Sequence, residues 1–134
     1  MNPILVVIPK KLIVTVKEKL KDSMRFVEGL YTLESNQVNG MPYWIQHKAY
    51  WIGNKALAIW YEKEDGIGNW NIGDIKDLGT SAAIMYTSGD TAGPHEPSIW
   101  NTWHYFINHN KEDWNVFETT DVLISPAPGI FKIE

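Results

Sequence analysis

The sequence contains no cysteine among its 134 residues. Disulfide bonds, thiolate nucleophiles and zinc sites built on cysteine are therefore excluded. Four histidines are present, and no two of them have the H-x-x-x-H spacing that places two metal ligands on one face of a helix. We therefore predict no metal site, and nothing in the sequence indicates a bound cofactor.

The chain is also poor in basic residues and in long hydrophobic runs. Lys and Arg total 12 against 16 Asp and Glu, which gives a net charge of −4. Because a nucleic-acid binder needs a basic face to neutralise phosphates, nucleic acid is excluded as a partner. The apolar run at residues 4–8 ends at Pro9 and is too short to cross a membrane, so we predict no membrane span.

No arrangement of residues indicates catalysis. Ser81, Ser88 and Ser98 lack the G-x-S-x-G setting of a nucleophile elbow. Ser88, Asp90 and His95 fall in one stretch, but a catalytic triad is defined by geometry rather than by closeness in sequence. We therefore predict that the protein is not an enzyme.

Tryptophan is the residue present in excess, with seven copies, and the rest of the pattern is typical of β-structure. Turn signals recur about every ten residues, and no long amphipathic helix is present, which is the pattern of an all-β domain. We predict an all-β fold, a small antiparallel sandwich or barrel built from short meander hairpins. The main strand-like runs lie at residues 12–16, 29–33, 42–47, 56–62, 69–73, 82–86, 103–107, 114–117 and 122–124.

The local sequence predicts a turn and a loop clearly, and it is ambiguous over one further stretch. Asn39-Gly40 predicts a type I′ hairpin, because both central positions of that turn need a positive φ. Residues 64–68 are interpreted as a loop. Residues 17–28 fit either a short helix or a charged loop, and the pattern does not separate the two.

The stretch from residue 38 to residue 74 carries four of the seven tryptophans. Strand alternation predicts that Trp44, Trp60 and Trp70 share the inward face of a three-strand meander. Trp51 lies beside a turn, which makes it a candidate for contact with a ligand. This stretch therefore organises the predicted fold.

A series of motifs resembles a small Trp-rich β module found singly or repeated in large multidomain eukaryotic proteins. The motifs are V-T-V (residues 14–16), G-x-Y (29–31), V-N-G-x-P-x-W (38–44), W-x-I-G (70–73), W-x-Y (103–105) and W-x-V (114–116). The resemblance implies an all-β domain at residues 12–125 and supplies no catalytic residue. Residues 1–11 then form an N-terminal strand extension, and residues 126–134 form a C-terminal strand or tail.

Two functions remain for such a domain. The first is protein–protein assembly, self-association included, because exposed apolar strands can pair with another chain. The second is carbohydrate binding, because indole rings beside polar side chains can stack on sugars. The predicted ligand contacts are Trp51, Trp100, Asp90 and His95, and the predicted assembly residues are Ile4, Leu5, Val6, Val7, Ile8, Ile130, Phe131 and Ile133.

Overall fold

The computed structural model describes residues 8–18, 24–88, 103–106 and 116–127, and this part of the chain is all-β. Three short 3-10 turns, at Arg25–Val27, Lys48–Tyr50 and Ile75–Asp77, connect the strands. In these residues no helix is long and apolar enough to cross a membrane. The strands are β1 (Lys11–Val16), β2 (Gly29–Val38), β3 (Met41–Gln46), β4 (Leu57–Glu64), β5 (Ile67–Asp74), β6 (Met85–Ser88), β7 (Trp103–Phe106), β8 (Val116–Thr119) and β9 (Val122–Pro126).

The nine strands form one antiparallel sheet that curls into a nearly closed barrel. Each strand from β1 to β8 lies beside its neighbour in sequence, and β9 pairs with β1. Since β8 is antiparallel to β7 and β9 is antiparallel to β1, β8 and β9 run in the same direction. Only Thr120 and Asp121 separate them. They therefore act as one bent strand, whose first half pairs with β7 and whose second half closes the barrel on β1.

The bend in this closing strand is held by two hydrogen bonds. The Thr119 hydroxyl oxygen accepts from the backbone N–H of Asp121 at 2.9 Å. The Asp121 carbonyl in turn accepts from the N–H of Lys17 at 2.8 Å, just beyond the end of β1. Of the two predicted architectures, the barrel is the one observed. Its strands span Lys11 to Pro126, one residue beyond the predicted domain at each end.

Two tight turns set the hairpin registers. Asn39 and Gly40 have φ values of 55° and 78° between the paired residues Val38 and Met41, which confirms the predicted type I′ turn. Asp65 and Gly66 have φ values of 52° and 79° in the same arrangement. The interpretation of residues 64–68 as a loop is therefore wrong, because Asp-Gly permits the same two-residue turn and both strands continue to it.

The barrel interior is filled by large apolar side chains. Trp44 and Trp70 are fully buried, as predicted, and their ring centroids lie 5.9 Å apart. The rings of Tyr61 and Trp70 pack edge to face, with centroids 5.4 Å apart. The Trp44 indole N–H donates to the Pro9 carbonyl at 2.9 Å, which satisfies its polar atom. The rest of this core includes Leu12, Val14, Val16, Tyr31, Leu57, Ile59, Ile72, Met85, Trp103, Tyr105 and Val122.

Trp60 is buried on the opposite face, so the prediction that it shares a face with Trp44 and Trp70 is wrong. Ile59 pairs with Trp44 and belongs to the interior, and Trp60, one residue further along β4, points outwards. There it forms a second small core with Tyr43 and Ala58. The Trp60 indole N–H donates to the Thr80 carbonyl at 3.0 Å. The segment after β5 thus shields an outward-facing tryptophan.

The segment from Met24 to Glu28 crosses the end of the barrel where β2 begins. Of the ambiguous stretch, residues 17–18 and 24–28 are described, and they include the 3-10 turn at Arg25–Val27. Residues 19–23 lie outside the described residues. Met24 and Val27 are buried in the main core. The Tyr31 hydroxyl donates to the Val27 carbonyl at 2.8 Å. This segment therefore closes one end of the barrel, and we call it the end segment.

Tyr31 makes stability depend on pH under alkaline conditions. Burial raises the pKa of its hydroxyl far above the usual range, since the charged phenolate is disfavoured in the core. The neutral form stabilises the fold fully below the unfolded-state pKa of about 10. Above that pH, we expect the free energy of unfolding to fall by about 1.4 kcal/mol per pH unit from this residue.

The variant Tyr31→Phe tests this expectation by urea denaturation between about pH 8 and about pH 11. It should lose about 1 kcal/mol at neutral pH with the hydrogen bond, and its stability should depend less on alkaline pH. Tyr50→Phe, at an exposed tyrosine, is the matched control and should keep the wild-type pH dependence. Equal alkaline slopes for wild type and Tyr31→Phe would contradict the assignment.

Candidate functional site

A groove of about 530 Å³ lies on the outer wall of the barrel beside the end segment. Its floor includes Ile13 of β1 and Leu30 of β2, which pair with each other and point away from the core. Strand alternation explains this, because Leu12 and Val14 occupy the inward positions on either side of Ile13. The volume falls in the range of small-molecule sites.

Tyr50 forms one wall of the groove and lies directly against Gly29. A Cβ atom added at Gly29 would be 2.5 Å from the Tyr50 Cγ and 2.8 Å from its Cδ1, closer than carbon atoms approach. Gly29 also has a φ of +137°, which side chains other than hydrogen rarely permit. Tyr50 keeps 48% of its surface exposed, and Ile52 at the rim keeps 63%. Glycine at position 29 therefore lets the aromatic ring lie against the backbone.

Arg25 and Glu28 supply the charged groups of the groove. Arg25 is the first residue of the 3-10 turn and Glu28 follows its last residue, and the Glu28 N–H donates to the Arg25 carbonyl at 3.1 Å. One carboxylate oxygen of Glu28 accepts from the Val16 N–H at 3.2 Å, which ties the side chain to the end of β1. The groove thus combines an aliphatic floor and an aromatic wall with one guanidinium and one carboxylate.

Gln46 holds the end segment in place. Its side-chain amide N–H groups donate to the carbonyls of Phe26 and Glu28 at 3.2 and 3.1 Å. Its side-chain oxygen accepts from the Leu57 N–H at 3.3 Å. Gln46 is itself buried at the end of β3, so one polar side chain joins β4 to the backbone that carries Arg25 and Glu28.

Trp51, one of the two tryptophans predicted to contact a ligand, is half-buried next to Tyr50. Its indole N–H donates to the Gln46 carbonyl at 2.8 Å, so its polar atom anchors the segment after β3. His47 caps the 3-10 turn at Lys48–Tyr50, and its Nδ1 accepts from the Ala49 N–H at 3.1 Å. Tyr50, which the sequence did not single out, lines the groove together with Phe26. In a 3-10 turn, side chains do not alternate between two faces as they do in a strand. The sequence pattern therefore could not distinguish Tyr50 from Trp51 as the residue that lines the groove.

The other predicted site residues lie mainly outside the described part of the chain. Of the assembly residues, Ile8 is described and is 40% exposed just before β1. The residues outside it are the ligand candidates Asp90, His95 and Trp100 and the assembly candidates Ile4, Leu5, Val6, Val7, Ile130, Phe131 and Ile133. Their assignments stay predictions.

The described residues contain no group of three or more His, Asp or Glu side chains placed to hold a metal ion. Of the two histidines described, His47 caps a turn. His104 stacks on Tyr86 across the β6–β7 pair, with ring centroids 4.9 Å apart and planes 12° from parallel. We therefore take the groove, which combines apolar, aromatic and charged side chains, as the candidate functional site.

Comparison with known proteins gives no relative: no family model, no curated protein and no solved structure matches the chain. The fold and the groove define the class directly as a small antiparallel β-barrel with an outer-wall groove. The resemblance to a repeated Trp-rich module stays a prediction.

Proposed function

We propose that this barrel is a non-enzymatic interaction module that assembles with a second copy of itself through the β-rich runs at residues 4–8 and 130–133. One observation carries the proposal. The start of β1 and the end of β9 are hydrogen-bonded, with Leu12 opposite Pro126 and the Ala127 N–H donating to the Lys11 carbonyl at 2.9 Å. The start of β1 and the end of β9, from which the chain leads to the two runs, therefore lie side by side at one end of the barrel.

The antiparallel register supports pairing of the runs. In such a pair, each step back along β1 meets one step forward along β9. In the proposed pairing, the same register continues past the prolines, which would place Ile8 opposite Ile130. A two-stranded ribbon is marginal in water on its own. The run at residues 4–8 is apolar at every position, and the run at residues 130–133 is apolar except at Lys132. Burial against another chain would supply the missing contacts.

The strand pairing in the barrel wall also favours the terminal runs as the surface for self-association. Each strand from β1 to β7 is hydrogen-bonded to a strand on both sides. Their edges are occupied and cannot accept a further strand. In this proposal, the pairing surface is supplied by the terminal runs rather than by the wall.

Deleting residues 1–8 tests the proposal and keeps Pro9, whose carbonyl binds Trp44. We expect the full chain to dimerise with rising concentration in sedimentation equilibrium. The truncated chain should stay monomeric at every concentration while keeping the β-sheet circular dichroism of the barrel. The matched control is Ile67→Ala, at an exposed isoleucine of the β4–β5 turn, which should dimerise like wild type.

Two results would contradict assembly through these runs. One is a full chain that stays monomeric at the highest concentration attainable. The other is a truncated chain that dimerises as strongly as the full chain. A second variant, Val6→Asp with Ile8→Asp, places charges in the run without shortening it and should also abolish the dimer.

A further inference from the structure

The exposed ring of Tyr50 in the groove is presented as a flat, fixed surface. The close approach of Gly29 covers part of one side of the residue, and about half of the residue remains accessible. The Trp51 indole bond to the Gln46 carbonyl fixes the backbone immediately after Tyr50. An aromatic ring held in this way offers its apolar face to a ligand at little cost in conformational entropy.

Two planar polar groups lie in the same groove and are also positioned by the fold. Arg25 presents several N–H donors in a fork, and the Glu28 carboxylate presents acceptors. The backbone that carries them is held by Gln46, and Glu28 is further tied to the Val16 N–H. Donors, acceptors and an aromatic surface are therefore gathered beside one another.

The combination of an aromatic ring, an aliphatic floor and two charged side chains limits the classes of ligand that the groove can bind. A purely aliphatic ligand would cover Arg25 and Glu28 while supplying no hydrogen bond to either in place of water, which is costly. A small inorganic ion would leave the Tyr50 ring and the Ile13 and Leu30 floor uncovered. A sugar ring has an apolar face of C–H groups, and its hydroxyls both donate and accept hydrogen bonds. A sugar ring can therefore contact the apolar surface of the groove and also form hydrogen bonds with its charged side chains.

We propose that this groove binds a sugar ring, with Tyr50 as the stacking surface and Arg25 and Glu28 as the hydrogen-bonding partners. In this proposal, the aromatic residue that stacks on the sugar is Tyr50 rather than the adjacent Trp51. The proposed sugar site is separate from the proposed self-association, because Glu28 is hydrogen-bonded to Val16 at the end of β1 opposite to Lys11. A monomeric variant lacking residues 1–8 should bind the sugar as well as the full chain does.

The test is a titration of the ¹⁵N-labelled full chain followed by amide chemical shifts. The probes are methyl β-D-glucopyranoside, methyl β-D-galactopyranoside, methyl α-D-mannopyranoside and N-acetyl-D-glucosamine, with octanoate as an apolar comparison. We expect at least one sugar to shift the amides of Gly29, Leu30, Tyr50 and Ile52 saturably, in the millimolar range typical of a shallow site. Octanoate should shift them weakly or not at all.

Variants identify the contacts. Tyr50→Ala should weaken binding by about tenfold or more through loss of the ring, whereas Tyr50→Phe should keep most of the affinity. Arg25→Gln should weaken binding while leaving the thermal unfolding curve unchanged, since its charge lies in an open groove. Ile67→Ala, at the turn between β4 and β5, is the control that should bind normally. Tyr50 is half exposed, so its replacement leaves the core intact.

Three outcomes would overturn the proposal. In the first, none of the sugars shifts the groove amides. In the second, octanoate saturates the groove and the sugars do not, which would identify an apolar ligand instead. In the third, a sugar binds but Tyr50→Ala binds it equally well, which would place the sugar elsewhere on the protein.

Discussion

Replacing Gln46 with leucine should lower the free energy of unfolding by about 3–4 kcal/mol, because it removes three hydrogen bonds to backbone groups. The Phe26 and Glu28 carbonyls would lose their donor, and the Leu57 N–H would lose its acceptor. Each group left without a partner in a buried setting costs about 1–3 kcal/mol. The leucine gains little in return, since Gln46 is already fully packed.

Chemical denaturation of Gln46→Leu measures this loss, and a thermal scan should show a melting temperature lower by about 10 °C or more. Gln37→Leu is the matched control, since Gln37 is exposed on β2 and its change should stay within about 0.5 kcal/mol of wild type. A Gln46→Leu protein as stable as Gln37→Leu would show that the end segment does not depend on this side chain.

Gln46→Glu adds a pH test of the same contacts. An ionised carboxylate cannot donate to the Phe26 and Glu28 carbonyls, whereas a protonated one can donate to one of them. The fold should therefore raise the pKa of the introduced carboxyl above its unfolded value. The resulting stability is present at low pH and is lost as pH rises, so the deficit relative to wild type should shrink on acidification. A deficit independent of pH would argue against these contacts.

Gly29→Ala should cost about 3 kcal/mol, the second large effect, because backbone strain and a collision act together. The φ of +137° alone is unfavourable for alanine, and the new Cβ would lie within 3 Å of three Tyr50 carbons. Gly66→Ala is the matched control. Its φ of +79° is also positive, but no atom lies within 4 Å of an added Cβ, so it should cost only about 1 kcal/mol.

A double-mutant cycle separates the two causes. In a Tyr50→Ala background, two of the three colliding carbons are absent, and only the Cβ at 2.9 Å remains. We expect Gly29→Ala to be less costly there by about 1 kcal/mol or more, since coupled neighbours are not additive. Urea denaturation of the four proteins gives the coupling energy. Equal costs in both backgrounds would assign the whole effect to backbone strain.

Local chemistry in the sequence was enough to predict much of the wall. Asn39-Gly40 defined its hairpin because few residue pairs accept two positive φ values. Asp65-Gly66 also favours a two-residue turn with two positive φ values, and β4 and β5 extend to it, so both strands are longer than predicted. The burial of Trp44 and Trp70 likewise followed from strand alternation.

Long-range arrangement could not be predicted in the same way. Trp60 is as apolar as Trp44, and only the register of β4 against β3 shows that it points outwards. The closing strand requires knowing that β9 returns to β1, which no local pattern contains. The groove brings together residues from β1, the end segment, β2 and the turn after β3, so its composition appears only in the folded chain.

The bent closing strand has a consequence for synthesis of the chain on the ribosome. Of the described strands, β1 is made first, and one of its edges binds β2 as soon as that hairpin forms. Its other edge is paired by β9, the last described strand to be made, at contacts such as Val16 with Val122. From the synthesis of β1 until that of β9, the nascent barrel therefore has an unpaired edge along β1, which can bind a foreign strand.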